Sequence, residues 1–185
     1  MSAAPENVLT NVLKRSWDVF MKDPVLYVIA GIIVIVVGAL TLGILAPALS
    51  IGFTRIVRDR MQGKPAEASG VFGGMSLFVP SLIAMILIAI GVTIGTALLV
   101  LPGLFVAVVT SFAFQFMALD NAGVGDSLSR SYRLVMDNLV TVILLIVLLA
   151  VINCAGGAVA VGILLTTPFT MVAMVIAYED LRKPA

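Results

Sequence analysis

Every charged side chain in this chain, 11 basic and 10 acidic, falls in one of four short clusters. The clusters are residues 6–23 (Glu6, Lys14, Arg15, Asp18, Lys22, Asp23), 55–67 (Arg55, Arg58, Asp59, Arg60, Lys64, Glu67), 120–137 (Asp120, Asp126, Arg130, Arg133, Asp137) and 179–183 (Glu179, Asp180, Arg182, Lys183). The stretches between them, 24–54, 68–119 and 138–178, run for 31, 52 and 41 residues without a charge. A water-soluble helix or strand of such length needs a polar outer face, and these have none. The pattern therefore predicts an all-α, polytopic membrane protein.

One crossing takes about 20 apolar residues at about 1.5 Å each. The stretches of 52 and 41 residues then each make two crossings with a tight turn. The shortest stretch also makes two if Arg55 and Arg58 snorkel, letting its second helix run on to Met61. Three helical hairpins, six transmembrane helices in all, return every charge cluster to one side. Basic residues number 3, 4, 2 and 2 in the clusters and zero in the turns between paired helices. By the positive-inside rule that side is cytoplasmic, and both termini are expected there. The expected layout is one integral membrane domain over 1–185. Within it lie an interfacial helix 7–22, a hairpin 24–61, a connector 62–75, a hairpin 76–119, an interfacial helix 126–138 and a hairpin 139–181.

The two interfacial helices come from helical periodicity. In the first, Val8, Leu9, Val12, Leu13, Ser16, Trp17 and Phe20 share one side. In the second, Asp126 stands where an N-cap belongs, and Leu128, Ser131, Tyr132 and Val135 form the expected buried face. Trp17 and Tyr132 are the candidate interfacial anchors. The start of the chain has no basic region ahead of an unbroken apolar core, so it does not read as a signal peptide. A weak internal repeat aligns Arg15-Ser-Trp-Asp-Val-Phe-Met21 with Arg130-Ser-Tyr-Arg-Leu-Val-Met136, and Gly43 to Pro47 with Gly162 to Pro168. Between hairpins, Lys64-Pro65 is expected to start a short helix through Ser69, and Gly70, Gly73 and Gly74 to allow a tight return to the membrane.

Composition excludes several functions. With 61% apolar and 11% charged residues and a net charge of +1, nucleic acid binding has no electrostatic footing. Histidine is absent, which removes the commonest metal ligand and acid–base group, so no catalytic residue, cofactor or metal is expected. The single cysteine, Cys154, reads as a small packed residue. No ionisable group lies inside the charge-free stretches, where ion coupling would need one. The strongest polar groups there, Gln115 and Asn153, read first as bonds between neighbouring helices. The motif Gly91-Val-Thr-Ile-Gly95 lets two helix backbones approach, within one chain or between copies in a homo-oligomer or membrane protein complex.

Two features carry the functional candidates. Pro47, Pro102 and Pro168 are candidate helix breaks. Pro47 lies 12 residues before Asp59 and Pro168 12 before Asp180, about 18 Å of helix, which places them inside the bilayer. A proline break frees a backbone carbonyl, that of Gly43 for Pro47, and freed carbonyls can line a polar pocket. The alternative is a packing kink, or a proline that simply opens a helix past a turn. Arg55, Arg58, Arg60 and Lys64 form the most basic patch and are candidate contacts for anionic lipid headgroups, set against ordinary topology determination.

The Arg-Ser-aromatic motif, Pro47-Ala-Leu-Ser-Ile-Gly-Phe53, the Lys64-Pro65 connector ending in Phe72-Gly-Gly74, and Leu101-Pro-Gly-Leu-Phe105 together resemble a broad set of uncharacterised bacterial six-helix inner-membrane proteins. So do Asp126-Ser-Leu-Ser-Arg-Ser-Tyr-Arg-Leu-Val135 and the Gly162–Pro168 segment running on to Ala177-Tyr-Glu-Asp-Leu181. The outline is also similar to the membrane-anchoring domain of some glycerophosphodiester phosphodiesterases, without their catalytic domain. The resemblance implies a fold and a bacterial inner-membrane location, and no activity. The expected function is a non-enzymatic membrane scaffold or accessory protein meeting lipid or partner proteins through its cytoplasmic face. The alternative is a transporter or channel for a small neutral or lipid-like solute.

Overall fold

The computed structural model describes residues 5–158 and 162–182. Among these the chain is helical, with no strand. The first helix, α1 (Pro5–Lys22), is amphipathic and meets α2 (Pro24–Leu40) at a bend of 97°. Pro24 opens α2 and pushes Asp23 out of helical geometry (φ −145°, ψ 63°), so the chain turns there. Leu42 (φ 51°) and Gly43 (φ 83°) then make the turn into α3 (Ala46–Met61). The Gly43 N–H donates to the Gly38 carbonyl at 2.7 Å, closing the end of α2.

Pro47 is therefore not a break within a helix. It is the second residue of α3, where a missing N–H leaves nothing unsatisfied. The Gly43 carbonyl, expected to be freed, accepts from the Ala46 N–H at 3.1 Å. Pro102 likewise lies in the first turn of its helix. Only Pro168 sits inside one, and that helix runs on through it, so it is no break either. Its ring packs against Gly31 of α2, where an added Cβ would lie 2.7 Å from the proline Cβ.

Beyond α3 the chain does not form the short helix expected to start at Pro65. Gly63 (φ 74°) reverses it, the Lys64 N–H returns to the Asp59 carbonyl at 2.9 Å, and Glu67 is extended. A 3-10 helix then spans Ala68–Leu77 and runs antiparallel along α3. Gly70 faces Ile56, the Val71 carbonyl lies on Gly52, and Gly74 lies on the Ala48 carbonyl. A Cβ at Gly52 or Gly74 would occupy the space of those carbonyls. What reads as a connector is thus packed backbone to backbone on the central helix.

Helix α4 (Phe78–Leu98) follows directly, and extended Leu99 joins it to α5 (Val100–Val109). Gly91 meets Val106, and Gly95 meets Gly103, so the GxxxG motif serves packing within one chain. After a break at Thr110–Phe112 comes α6 (Ala113–Asp120). This break contains neither proline nor glycine. Its two orphaned backbone groups are met by one side chain of α7 (Val124–Asp137): Ser131 Oγ donates to the Val109 carbonyl at 2.7 Å and accepts from the Phe112 N–H at 3.1 Å. Ser131 is fully buried.

Two details of α7 differ from the periodicity reading. Asn121 in the left-handed region ends α6, and the new helix starts early from Gly123, so Asp126 is a first-turn residue rather than the N-cap. There it pairs with Arg130 at 2.8 Å, one turn on. The buried face is Ser127, Ser131 and Val135, while Tyr132 is exposed.

The last pair is α8 (Leu139–Gly157) and α9 (Ile163–Arg182), whose connection includes residues 159–161, outside those described. Helices α3, α6 and α9 hold the core, where Phe116 meets Tyr178 edge-on at 4.9 Å and Phe53 lies against Tyr27. Among the described residues, four segments are long and apolar enough to cross a membrane: 68–98, 100–120, 139–157 and 163–182. A fifth is added if the bent pair α1–α2 counts as one span. That falls short of the expected six. Helix α2 has 17 residues, about 25 Å, and α3 has 16 with four charges in its second half. Such helices are compatible with a membrane location.

Candidate functional site

The four charge clusters, far apart in sequence, meet at one end of the bundle. Asp23 pairs with Arg60, joining the first cluster to the second, and Arg15 pairs with Asp180, joining the first to the fourth. Arg58 Nε lies 4.0 Å from Glu179, and Arg182 contacts Asp120 at 2.6 Å, bringing in the third. Asp120, largely buried, also accepts from Arg130 at 3.4 Å. Carboxylates here are taken up by different cations: Asp59 is on Lys64, Asp120 on Arg130 and Arg182, Asp180 on Arg15.

Within this end, α3 directs two arginines at the C-terminus of α6. Arg55 Nε donates to the Ala118 carbonyl at 3.2 Å, and Arg58 Nη1 to the Leu119 carbonyl at 2.8 Å. The last carbonyls of a helix lack partners and carry partial negative charge, so guanidinium groups are well suited to cap them. Arg55 also donates through Nη1 to the Gly73 carbonyl at 3.1 Å and to Ser76 Oγ at 3.3 Å. One side chain thus ties α3, the 3-10 helix and α6 together.

Beside these contacts lies a cavity of about 320 Å³ lined by Arg55, Arg58, Asp59, Gln62, Lys64, Ala118 and Leu119. Three of the four candidate headgroup residues line it. The fourth, Arg60, is turned away to Asp23 and to the Lys64 carbonyl at 3.4 Å. Three cations face one carboxylate, Asp59, which is 3.8 Å from Lys64. Lys64 is the most exposed of the cations, and each guanidinium keeps donors beyond those the helix cap uses. The cavity is suited to a small anion. The role of α6 carbonyls in holding Arg55 and Arg58 has no signal in sequence, because nothing local links residues 63 and 61 positions apart.

The other singled-out residues have plainer surroundings. Asn153 Nδ2 donates to Thr170 Oγ1 at 3.2 Å, joining α8 to α9. Cys154 is exposed rather than packed, since α8 buries only Val142, Leu145 and Leu149 and turns its cysteine outward. Ser111 Oγ and Gln115 Oε1, near the α5–α6 break, are buried without a hydrogen-bond partner among the described residues. Trp17 is 57% exposed and touches Phe169 edge-on at 6.2 Å, and Tyr132 is 47% exposed, so both anchor candidates sit on the outside.

No curated protein and no solved structure matches this chain. No link to the glycerophosphodiester phosphodiesterases is found. A domain of unknown function, DUF7847, matches residues 24–181, from the start of α2 almost to the end of α9. With most of its length covered by that match, the chain belongs to the DUF7847 family.

Proposed function

We propose that this chain is a non-enzymatic integral membrane scaffold of a bacterial inner membrane, holding an anionic phospholipid headgroup at its cytoplasmic end. The observation that carries this reading is the cavity between α3 and α6, where Arg55, Arg58 and Lys64 face a single carboxylate at the end where all charge clusters gather. A headgroup phosphate there gains charge-assisted hydrogen bonds in a partly desolvated site, each stronger than a neutral one. Two observations support a scaffold over an enzyme. Asp59, Asp120 and Asp180 are each engaged by different cations, and the arginines lock helices together.

The transporter alternative draws on proline-broken helices and has less to support it: Pro47 and Pro102 lie in the first turns of their helices, and Pro168 lies within a helix against Gly31. The test is native mass spectrometry of protein extracted in mild detergent and offered phosphatidylglycerol. Wild type is expected to retain the lipid, and a variant carrying Arg58→Gln with Lys64→Gln to bind it about tenfold more weakly. Equal retention by both would defeat the proposal.

A further inference from the structure

We infer that a second site, the groove between α1 and α9, binds the headgroup of a zwitterionic phospholipid bearing a primary amine. The groove has a volume of about 410 Å³ and is lined by Leu13, Lys14, Trp17, Asp18 and Phe169. Leu13 and Phe169 give it apolar walls. Lys14 and Asp18 stand on its rim, one helical turn apart, with Cβ atoms about 5–6 Å apart at that spacing. Neighbours of opposite charge in this register commonly pair. Here they do not, and neither has an ionic or hydrogen-bond partner among the described residues. Elsewhere on α1, Arg15 is on Asp180, Ser16 Oγ donates to the Val12 carbonyl, and Phe20 packs on Phe169 and Tyr27.

An unpaired cation and anion beside an exposed indole match a headgroup with a phosphate and an ammonium joined by a short linker. Lys14 takes the phosphate oxygens. Asp18 accepts hydrogen bonds from the ammonium, which also lies against the face of Trp17. A quaternary amine is held by a cage of several aromatic rings, whereas one indole beside a carboxylate suits an ammonium that can donate. Leu13 and Phe169 then receive the start of the acyl chains, at the depth where tryptophan concentrates in membranes. The inference rests on the membrane reading above but not on the anion cavity.

Trp17 is the only tryptophan in the chain, so its fluorescence reports the groove directly. Purified full-length protein in nonionic maltoside micelles is titrated with phosphatidylethanolamine, with phosphatidylglycerol, and with N-acetylated phosphatidylethanolamine, which keeps the phosphate and loses the ammonium. A saturable change is expected with phosphatidylethanolamine, and binding about tenfold weaker for both other lipids. Lys14→Gln and Asp18→Asn, at exposed positions, are each expected to lose binding by a similar factor. Arg58→Gln, at the other site, leaves it unchanged. Equal responses to the three lipids, or wild-type binding by either groove variant, would overturn the inference. If only Arg58→Gln weakens the response, the lipid is in the anion cavity and the groove is not its site.

Discussion

At the scale of single residues, the tightest constraint is where two backbones touch. Gly52 of α3 and Gly74 of the 3-10 helix each leave no room for a Cβ against a carbonyl of the other element. Neighbouring Gly73 has nothing within 4 Å of an added Cβ, which makes it a control on the same segment. Gly74→Ala is expected to destabilise the protein by about 3 kcal/mol, because rigid backbone has to move. Gly73→Ala is expected to stay within about 0.5 kcal/mol of wild type. Denaturant-dependent unfolding in micelles reads both, and equal effects would mean the two elements are not in backbone contact. Small residues at helical intervals, Ala48 and Gly52 among them, are visible in the sequence as a close-packing stripe. Their partner is not. A segment rich in glycine between charged residues reads as a loop, and only the folded chain shows it lying along α3.

Among the elements, the break between α5 and α6 is the least expected. Proline positions point to breaks elsewhere, yet Pro47 and Pro102 lie in the first turns of their helices, and Pro168 lies within a helix, against Gly31. The true break, at Thr110–Phe112, is made by a serine 19 residues away from Phe112. A continuous helix would pair Phe112 N–H and the Val109 carbonyl within itself, and Ser131 would lose both partners. The kink and the seating of α7 are therefore one event. Ser131→Ala leaves two buried backbone groups unpaired and is expected to cost about 2 kcal/mol, seen as a lower thermal midpoint.

Ser16 tests the specificity of that effect. It is equally buried and occupies the matching place in the Arg-Ser-aromatic motif, but its hydroxyl only returns to the Val12 carbonyl of its own helix. Ser16→Ala is expected to cost well under about 1 kcal/mol. Equal losses would show that Ser131 is a packing residue and not the bridge across the break. The motif is legible in sequence, and so is the helical period that buries its serine. What the serine bonds to depends on a partner helix that no local pattern names. Tyr132 shows the same limit: an aromatic next to the buried stripe reads as part of it, and the actual rotation of α7 turns it outward.

For the whole molecule, the charge pattern sets the arrangement. Long apolar stretches bring each charged segment back to one end, and there the segments join through Asp23–Arg60, Arg15–Asp180, Arg58–Glu179 and Arg182–Asp120. Helical class and the apolar helices follow from composition and spacing alone. The number of full crossings does not, because α2 and α3 are short and α3 is wrapped by its neighbours instead of facing lipid along its length. The candidate cavity depends on the same gathering of charges: Arg55 and Arg58 come from α3 and Lys64 from the turn after it, but its other wall is α6.

If both proposed lipid sites are to meet the cytoplasmic leaflet, the charged end must lie wholly on one side of the membrane. The direct measurement is labelling of single cysteines by an impermeant maleimide on sealed right-side-out vesicles, with the exposed native Cys154 first replaced by Ala. Ile44→Cys, beside the turn between α2 and α3, is expected to react from outside. Lys64→Cys and Asp126→Cys are expected to react only after the vesicles are opened. Labelling of residue 64 or 126 in sealed vesicles would contradict the one-sided arrangement and the function proposed from it.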